Sequence, residues 1–313
     1  MNIRELDNRL CIATPAKLNL FLEIRAKRDD GFHELETIMA KLSVFDYLTF
    51  APAVDGKLDL QVTTAPSIEP NAVPSDASNL VMKTLRLICD LAGKALGASV
   101  KLFKNIPVQA GLGGASGNAA GAILAANRLW KLDWPKTRLL EVASQIGSDV
   151  AFFLSDGLAR CTGRGEKVQN LNYPCVLPVV IAKPKSGLST AEIYSRCAVP
   201  AEPITTESIL AGLQSGQTSR IGGAMFNRLE QFASQDESKV GDQLDSPIAR
   251  MTEEFERTHC VGHQLTGSGS CYFGIYHNRR SMLSAARILT NRLPDMYVFT
   301  GQTLSSRNHY LKI

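Results

Sequence analysis

At 313 residues with 44% hydrophobic content, the chain is long enough to bury a substantial core as one large or two ordinary domains. The 34 Lys and Arg against 30 Asp and Glu leave a net charge of +4 with no dense basic run, which argues against a nucleic-acid partner and leaves anionic small molecules open. No apolar run approaches a membrane span, the first ten residues lack the apolar stretch of a secretion signal, and the scattered cysteines include no Cys-x-x-Cys pair, so a reduced, cytoplasmic protein without a membrane partner is expected.

Along the chain, Cys11–Ile24 predicts a strand. Leu18, Leu20, Leu22 and Ile24 alternate with Lys17, Asn19, Phe21 and Glu23, which puts Lys17 and Asn19 on one face. A lysine among apolar neighbours, two residues after Pro15, reads either as a functional cation or as an ordinary edge-strand lysine. The Asp-Asp-Gly of Lys27–His33 makes a turn that presents Phe32 and His33 side by side, suited to a stacked heterocycle or to closing over a hairpin. Strand-like alternation resumes over Leu35–Phe50. Proline-rich loops around an edge strand at Leu58–Thr63 follow, and Ser78-Asn79 opens a helix that ends near Gly93.

A short strand over Val100–Asn105 delivers the chain into Ile106–Ala120, where Gly111, Gly113, Gly114 and Gly117 surround Ser116 and precede a helix predicted from Ala119 to Trp130. Glycines let several backbone N–H groups converge on one anion, and a helix N-terminus favours negative charge, so this is a phosphate cradle. Ser116 and Asn118 add side-chain donors. The loop lacks the Gly-Lys-Ser/Thr ending of a P-loop and the strand context of a dinucleotide fingerprint. The alternative is a tight turn before a close-packed helix, because Ala119, Ala120, Gly121, Ala122, Ala125 and Ala126 form a small-residue face.

A helix over Lys136–Ile146 stops at Gly147, and Asp149 stands before the apolar run Val150–Leu154, either as a functional carboxylate or as an N-cap. Thr162–Glu166 is a glycine turn between strands. Val176–Ala182 predicts the strand that opens a second domain, Ser189-Thr190 begins a helix carrying Tyr194, and Met225–Phe232 and Pro247–Arg257 predict two more helices around a polar loop, Ser234–Ser246. Leu265–Phe273 sets Gly267 and Gly269 beside an apolar strand, and helix Met282–Arg292 and strand Met296–Thr300 close the chain. His259-Cys260-x-x-His263 is the one cluster with metal-like spacing; it lacks a partner pair, and no metal ligands are assigned.

Pro15-Ala-Lys-Leu-Asn-Leu20, the Pro107–Ala120 loop and Thr266-Gly-Ser-Gly-Ser-Cys271, in this order, resemble the GHMP kinase superfamily. Asp30-Gly-Phe-His33, Asp149, Gly163-Arg-Gly-Glu166 and Ser189-Thr190 with Tyr194 narrow the resemblance to members that phosphorylate a cytidine-diphosphate-linked methylerythritol. The resemblance implies an α+β fold of two domains. An N-terminal, ribosomal-protein-like ATP-binding domain would span 1–172, and a ferredoxin-like α+β domain 173–313, with ATP, Mg2+ and substrate in the cleft between them. It implies a monomer or homodimer acting on a small molecule.

Carried over by resemblance, Asp149 would take the proton of the substrate 2-hydroxyl beside Lys17, and Asn19 would help hold the substrate. Phe32 and Tyr194 would sandwich the cytosine, His33 would read its edge, and Thr190 would stand close by. Pro107, Gly111, Leu112, Gly113, Gly114, Ala115, Ser116, Gly117 and Asn118 would hold the triphosphate. Asn79 and Lys104 would lie near the adenine, and Gly267, Ser268 and Gly269 would close the phosphate side. One departure stands out: the family loop reads Gly-Gly-Gly-Ser-Ser-Asp/Asn-Ala-Ala, and here Ala115 and Gly117 replace a glycine and the second serine. That leaves one phosphate or magnesium contact, and a positive φ at Ala115, in question. Homoserine, mevalonate or sugar kinases, and a nucleotide-binding protein without turnover, are the alternatives.

Overall fold

The computed structural model describes residues 1–173, 176–185, 187, 190–236 and 247–305; the side chains of residues 190, 191 and 234–236 are outside that description. Two sheets organise the chain. The larger has eight strands, with the order β1 (Asn2–Leu6), β2 (Arg9–Lys27), β3 (His33–Ala53), β5 (Gly97–Lys104), β4 (Leu58–Thr64), with β6 (Leu158–Gly163) joined to the first part of β3 and β7 (Lys167–Asn170) to β6, and with the short β9 (Phe226–Asn227) beside β2. Four helices accompany it: α1 (Leu80–Ala92), α2 (Gly114–Leu129), α3 (Lys136–Ile146) and the single turn α4 (Val150–Phe153). Local chemistry sets the ends of α1, where the Asn79 side chain accepts the Val81 N–H at 2.9 Å and Gly93 closes the helix in the left-handed region.

The smaller sheet is antiparallel, in the order β10 (Gly262–Leu265), β11 (Tyr272–Ile275), β8 (Pro178–Lys183), β12 (Tyr297–Gln302). Around it lie α5 (Thr190–Arg196), α6 (Glu207–Ser215), α7 (Thr218–Gly223), α8 (Glu230–Asp236), α9 (Pro247–Glu256) and α10 (Arg279–Arg292). The mixed α+β architecture is the expected one.

Several local expectations are corrected. The stretch predicted as a helix from Met225 begins with the two-residue strand β9 (Phe226–Asn227), which pairs in parallel with Phe21 and Leu22 of β2, so a long-range backbone ladder overrides the local pattern. Helix α2 starts at Gly114, five residues before the expected Ala119. Strand β1 and helices α6 and α7 were not anticipated, and Ser189 and residues 237–246 of the expected polar loop lie outside the described residues. Three buried clusters result. One lies under α1–α3, one within the smaller sheet and its helices, and the third joins β2, Ile106–Leu112, β8 and β11, fastening the two sheets at the base of the cleft.

Candidate active site

The two glycine segments meet in the cleft. Gly111 adopts φ +68°, and a Cβ there would stand 2.0 Å from the Thr266 carbonyl oxygen, so only glycine lets the backbones approach. Cys271 donates its N–H to the Ala110 carbonyl at 3.3 Å. The loop is tied to β2 by the Lys17 N–H, which donates to the Leu112 carbonyl at 2.9 Å. Gly113, at φ +68°, is the N-cap of α2, and among the described residues no side chain caps that helix, so its first-turn amides face a cavity of about 350 Å³. Asn79, Lys104, Pro107, Gly111–Ser116 and Asn118 all line this cavity.

Three of these side chains are already engaged. Asn79 caps α1 and donates to the Pro74 carbonyl, Lys104 is buried in an ion pair with Asp46, and the Asn118 amide donates to Thr14 and Asp46 at 2.9 Å each. Of the two serines in the wall, Ser78 donates its hydroxyl to Asp76 at 2.6 Å, and Ser116 is the other. Ala115 lies within α2, so the positive φ in question there does not arise. Gly117 is not in the cavity wall: a Cβ there would meet the Pro15 carbonyl oxygen at 3.1 Å and the Phe153 ring at 3.5 Å.

Next to this cavity lies a second, of about 840 Å³, whose wall includes Lys17, Asn19, Asp149, Phe32, His33, Arg164, Tyr194, Gly267 and Ser268. Lys17 is 4% exposed, pairs with Lys41 of β3 on one side and is covered by the glycine loop on the other, so it is not a solvated edge lysine. Its Nζ lies 3.6 Å from Asp149 Oδ2 and donates to Asn19 Oδ1 at 2.5 Å, while Asn19 Nδ2 donates to the Thr37 hydroxyl at 2.9 Å. Thr37 thus orients Asn19, a role the sequence pattern had not signalled. Asp149 occupies the N-cap position of α4 but makes no capping hydrogen bond, which leaves its carboxylate to Lys17 and the cavity.

At the far end the His33 and Tyr194 rings are 5.6 Å apart, and the Arg164 guanidinium stands 4.9 Å from the centre of the half-exposed Phe32 ring. Arg164 comes from the Gly163–Glu166 turn, a motif noticed for its glycines rather than for its cation. Burial and the nearby Lys27 ammonium push the His33 imidazole below its ordinary value, against a hydrogen bond to the Cys197 backbone that works the other way. His33 Nε2 is buried without a hydrogen-bond partner among the described residues. Thr190 opens α5, and its side chain lies outside the described residues.

Residues 79–157 match the family described as GHMP kinases N terminal domain. A 4-diphosphocytidyl-2-C-methyl-D-erythritol kinase of Pelotomaculum thermopropionicum is 34% identical, over 93% of this chain and 97% of that protein. The chain belongs to this kinase family. The corresponding kinase of Rhodopirellula baltica is 36% identical over 90% of this chain and 91% of that protein. A crystal structure of a 4-(cytidine 5'-diphospho)-2C-methyl-D-erythritol kinase superposes with a TM-score of 0.74 at 27% identity, over 94% of this chain and 98% of that one. Homoserine kinase from Cytophaga hutchinsonii shares the fold, with a TM-score of 0.72 at 16% identity over 97% of each chain. Kinases of this family use ATP. Among the described residues no helix is long and apolar enough to cross a membrane, and no group of three or more His, Cys, Asp or Glu side chains is placed to hold a metal. The His263 ring of the cluster with metal-like spacing is hydrogen-bonded to the Tyr272 hydroxyl at 2.8 Å.

Proposed function

We propose that this chain transfers the γ-phosphoryl group of ATP to the 2-hydroxyl of 4-diphosphocytidyl-2-C-methyl-D-erythritol, a step in non-mevalonate isoprenoid synthesis. The observation that carries the reading is the position of the Lys17–Asn19–Asp149 cluster, in the wall of a cavity that Phe32, His33 and Tyr194 also line and that lies against the glycine loop through Gly113 beside Lys17. Residues 1–172 are the ATP-binding unit in this reading, and Gly267–Gly269 close its phosphate side.

The γ-phosphorus gains a bond to the substrate oxygen as its bond to the bridging oxygen of ADP breaks, and the hydroxyl proton passes to Asp149. Phosphoryl transfer depends mainly on positioning and charge, so one aligned carboxylate beside one buried ammonium is adequate machinery. The Mg2+ that accompanies ATP supplies charge neutralisation on the phosphates. The donor set fits an ion held largely by phosphate oxygens with Ser116 nearby, since no acidic cluster among the described residues could cage it.

His33 reads the base by its unpartnered nitrogen. With the ring neutral, we assign its proton to Nδ1, which would leave the lone pair on the buried Nε2 for the base. Nε2 would accept from the cytosine N4 amino group, rather than donate to N3. Uracil presents an oxygen at that position, lone pair against lone pair.

The test is ATP consumption by the pure protein with magnesium and a panel of alcohols: the cytidylyl compound, its uridylyl analogue, homoserine, mevalonate and a sugar. Preferential turnover of the cytidylyl compound is expected. Turnover of another alcohol, or ATP binding with none consumed, would refute the assignment.

A further inference from the structure

Lys41 is a buried lysine that the reaction as described does not use. The β2–β3 register sets it directly opposite Lys17, and residues directly opposite in an antiparallel pair project on the same face, so two buried lysine side chains stand side by side over one element. That element is α4. Lys17 reaches the carboxylate at its N-terminal end, 3.6 Å away, while Lys41 Nζ donates to the carbonyls at its other end, to Phe153 at 3.0 Å and to Ser155. The Lys41 backbone N–H adds a bond to the Gly157 carbonyl at 2.7 Å.

A four-residue helix has no stability of its own, because nucleation costs more than one turn of hydrogen bonds returns. Its position must come from what grips it. The last carbonyls of a helix lack partners within it and carry its negative end, which a buried cation satisfies on both counts. Burial lowers the Lys41 amine to about 7, against the opposing influence of Asp156, and a neutral amine still donates to both carbonyls. We propose that Lys41 is a positioning residue for catalysis: by clamping the C-terminal end of α4 it sets where Asp149, at the other end of the same turn, stands relative to Lys17 and the substrate hydroxyl.

The inference rests on Asp149 being the catalytic carboxylate, and its test is separable from that reading. Lys41→Met keeps the apolar stem and removes the donors. Turnover should fall about tenfold or more, as expected when a reacting group is misplaced by a fraction of an ångström to an ångström, with the KM for ATP and for the alcohol moving far less. Because the effect runs through Asp149, Lys41→Met should change little in an Asp149→Asn background. An equal loss in both backgrounds overturns the proposal. If Lys41→Met does not fold, Lys41→Gln, which retains an N–H donor, is read in the same cycle. A crystal structure of the variant supplies a readout without turnover. The Lys17 to Asp149 separation should lengthen from 3.6 Å, and an unchanged separation overturns the proposal whatever the substrate proves to be.

Discussion

At the start of α2 much of the cavity wall is backbone: glycines at positive φ, the uncapped first turn, and carbonyls and amides exchanged between two loops. At the far end of the cleft are side chains brought from distant segments, Phe32 and His33 from the turn into β3, Arg164 from the turn after β6 and Tyr194 from α5. Backbone recognises charge that every nucleoside triphosphate carries, whereas discrimination between bases has to be made by side chains, because stacking alone accepts any ring. Lys17 and Asp149 stand where the two meet.

The largest effect is expected at that junction. Asp149→Asn keeps the side-chain shape and removes the base, and it should lower turnover by about 10²-fold or more while ATP binding and melting temperature hold. The carboxylate caps nothing, and Lys17, its ion-pair partner, keeps Asn19 Oδ1 as an acceptor in the variant, so the fold should hold. Single-turnover kinetics beside ATP titration checks this, and turnover near the wild-type value would remove Asp149 from the chemistry.

The side-chain end should show a comparable effect in specificity and leave ATP untouched. A buried polar group without a partner costs about 1–3 kcal/mol, so opposing lone pairs at His33 Nε2, with one lost hydrogen bond, should disfavour the uridylyl analogue by about 10²-fold in kcat/KM. His33→Ala should lower activity and narrow that preference, and Tyr194→Ala should weaken binding of the cytidylyl compound. Equal turnover of the two analogues by the wild-type protein would break the contrast between the two ends.

The same imidazole makes a pH prediction. Its folded value lies below the ordinary value of about 6.5, so the neutral ring persists through neutral pH. As pH falls below that ordinary value the unfolded chain takes the proton first. Stability contributed by the neutral ring is therefore fully present above it and is lost as pH falls through the folded value. In that acidic window Nε2 becomes a donor facing an amino group. KM for the cytidylyl compound should rise there by several-fold and stay level toward neutrality, with the His33→Ala variant lacking that rise.

The contrast also explains what could be read from the chain. The loop lining the cavity at α2 was legible because glycines, a serine and a helix start lie within fifteen consecutive residues, and α1 was legible because Asn79 and Gly93 mark its ends locally. The start of α2 was not, since residues 114–118 include two glycines that propensity reads as loop while the fold winds them into the helix. Phe226–Asn227 reads as helix until β2 is beside it. Phe32, His33 and Tyr194 came together through family resemblance, and Arg164 over Phe32, Thr37 behind Asn19 and Lys41 opposite Lys17 depend on turn placement and strand register that no local pattern encodes.

The smallest effect is expected where the loop departs from its family pattern. A hydroxyl absent at position 117 puts a phosphate or magnesium contact in question, yet that position faces β2 and α4: its Cβ would lie 3.1 Å from the Pro15 carbonyl oxygen and 3.5 Å from the Phe153 ring. Gly117→Ser therefore adds volume to a packed seam and leaves the mouth of the cradle as it was. Overpacking of this kind costs about 1–3 kcal/mol, offset in part because serine suits a helix better than glycine, so a modest fall in melting temperature is expected. The KM for ATP and the magnesium dependence should stay within a few-fold of wild type. Ser116→Ala, which strips the hydroxyl that does face the cavity, should raise both requirements more than Gly117→Ser does. A large gain of activity in Gly117→Ser would mean that the native glycine leaves the cradle incomplete, and the backbone end of the cleft would then depend on a side chain after all.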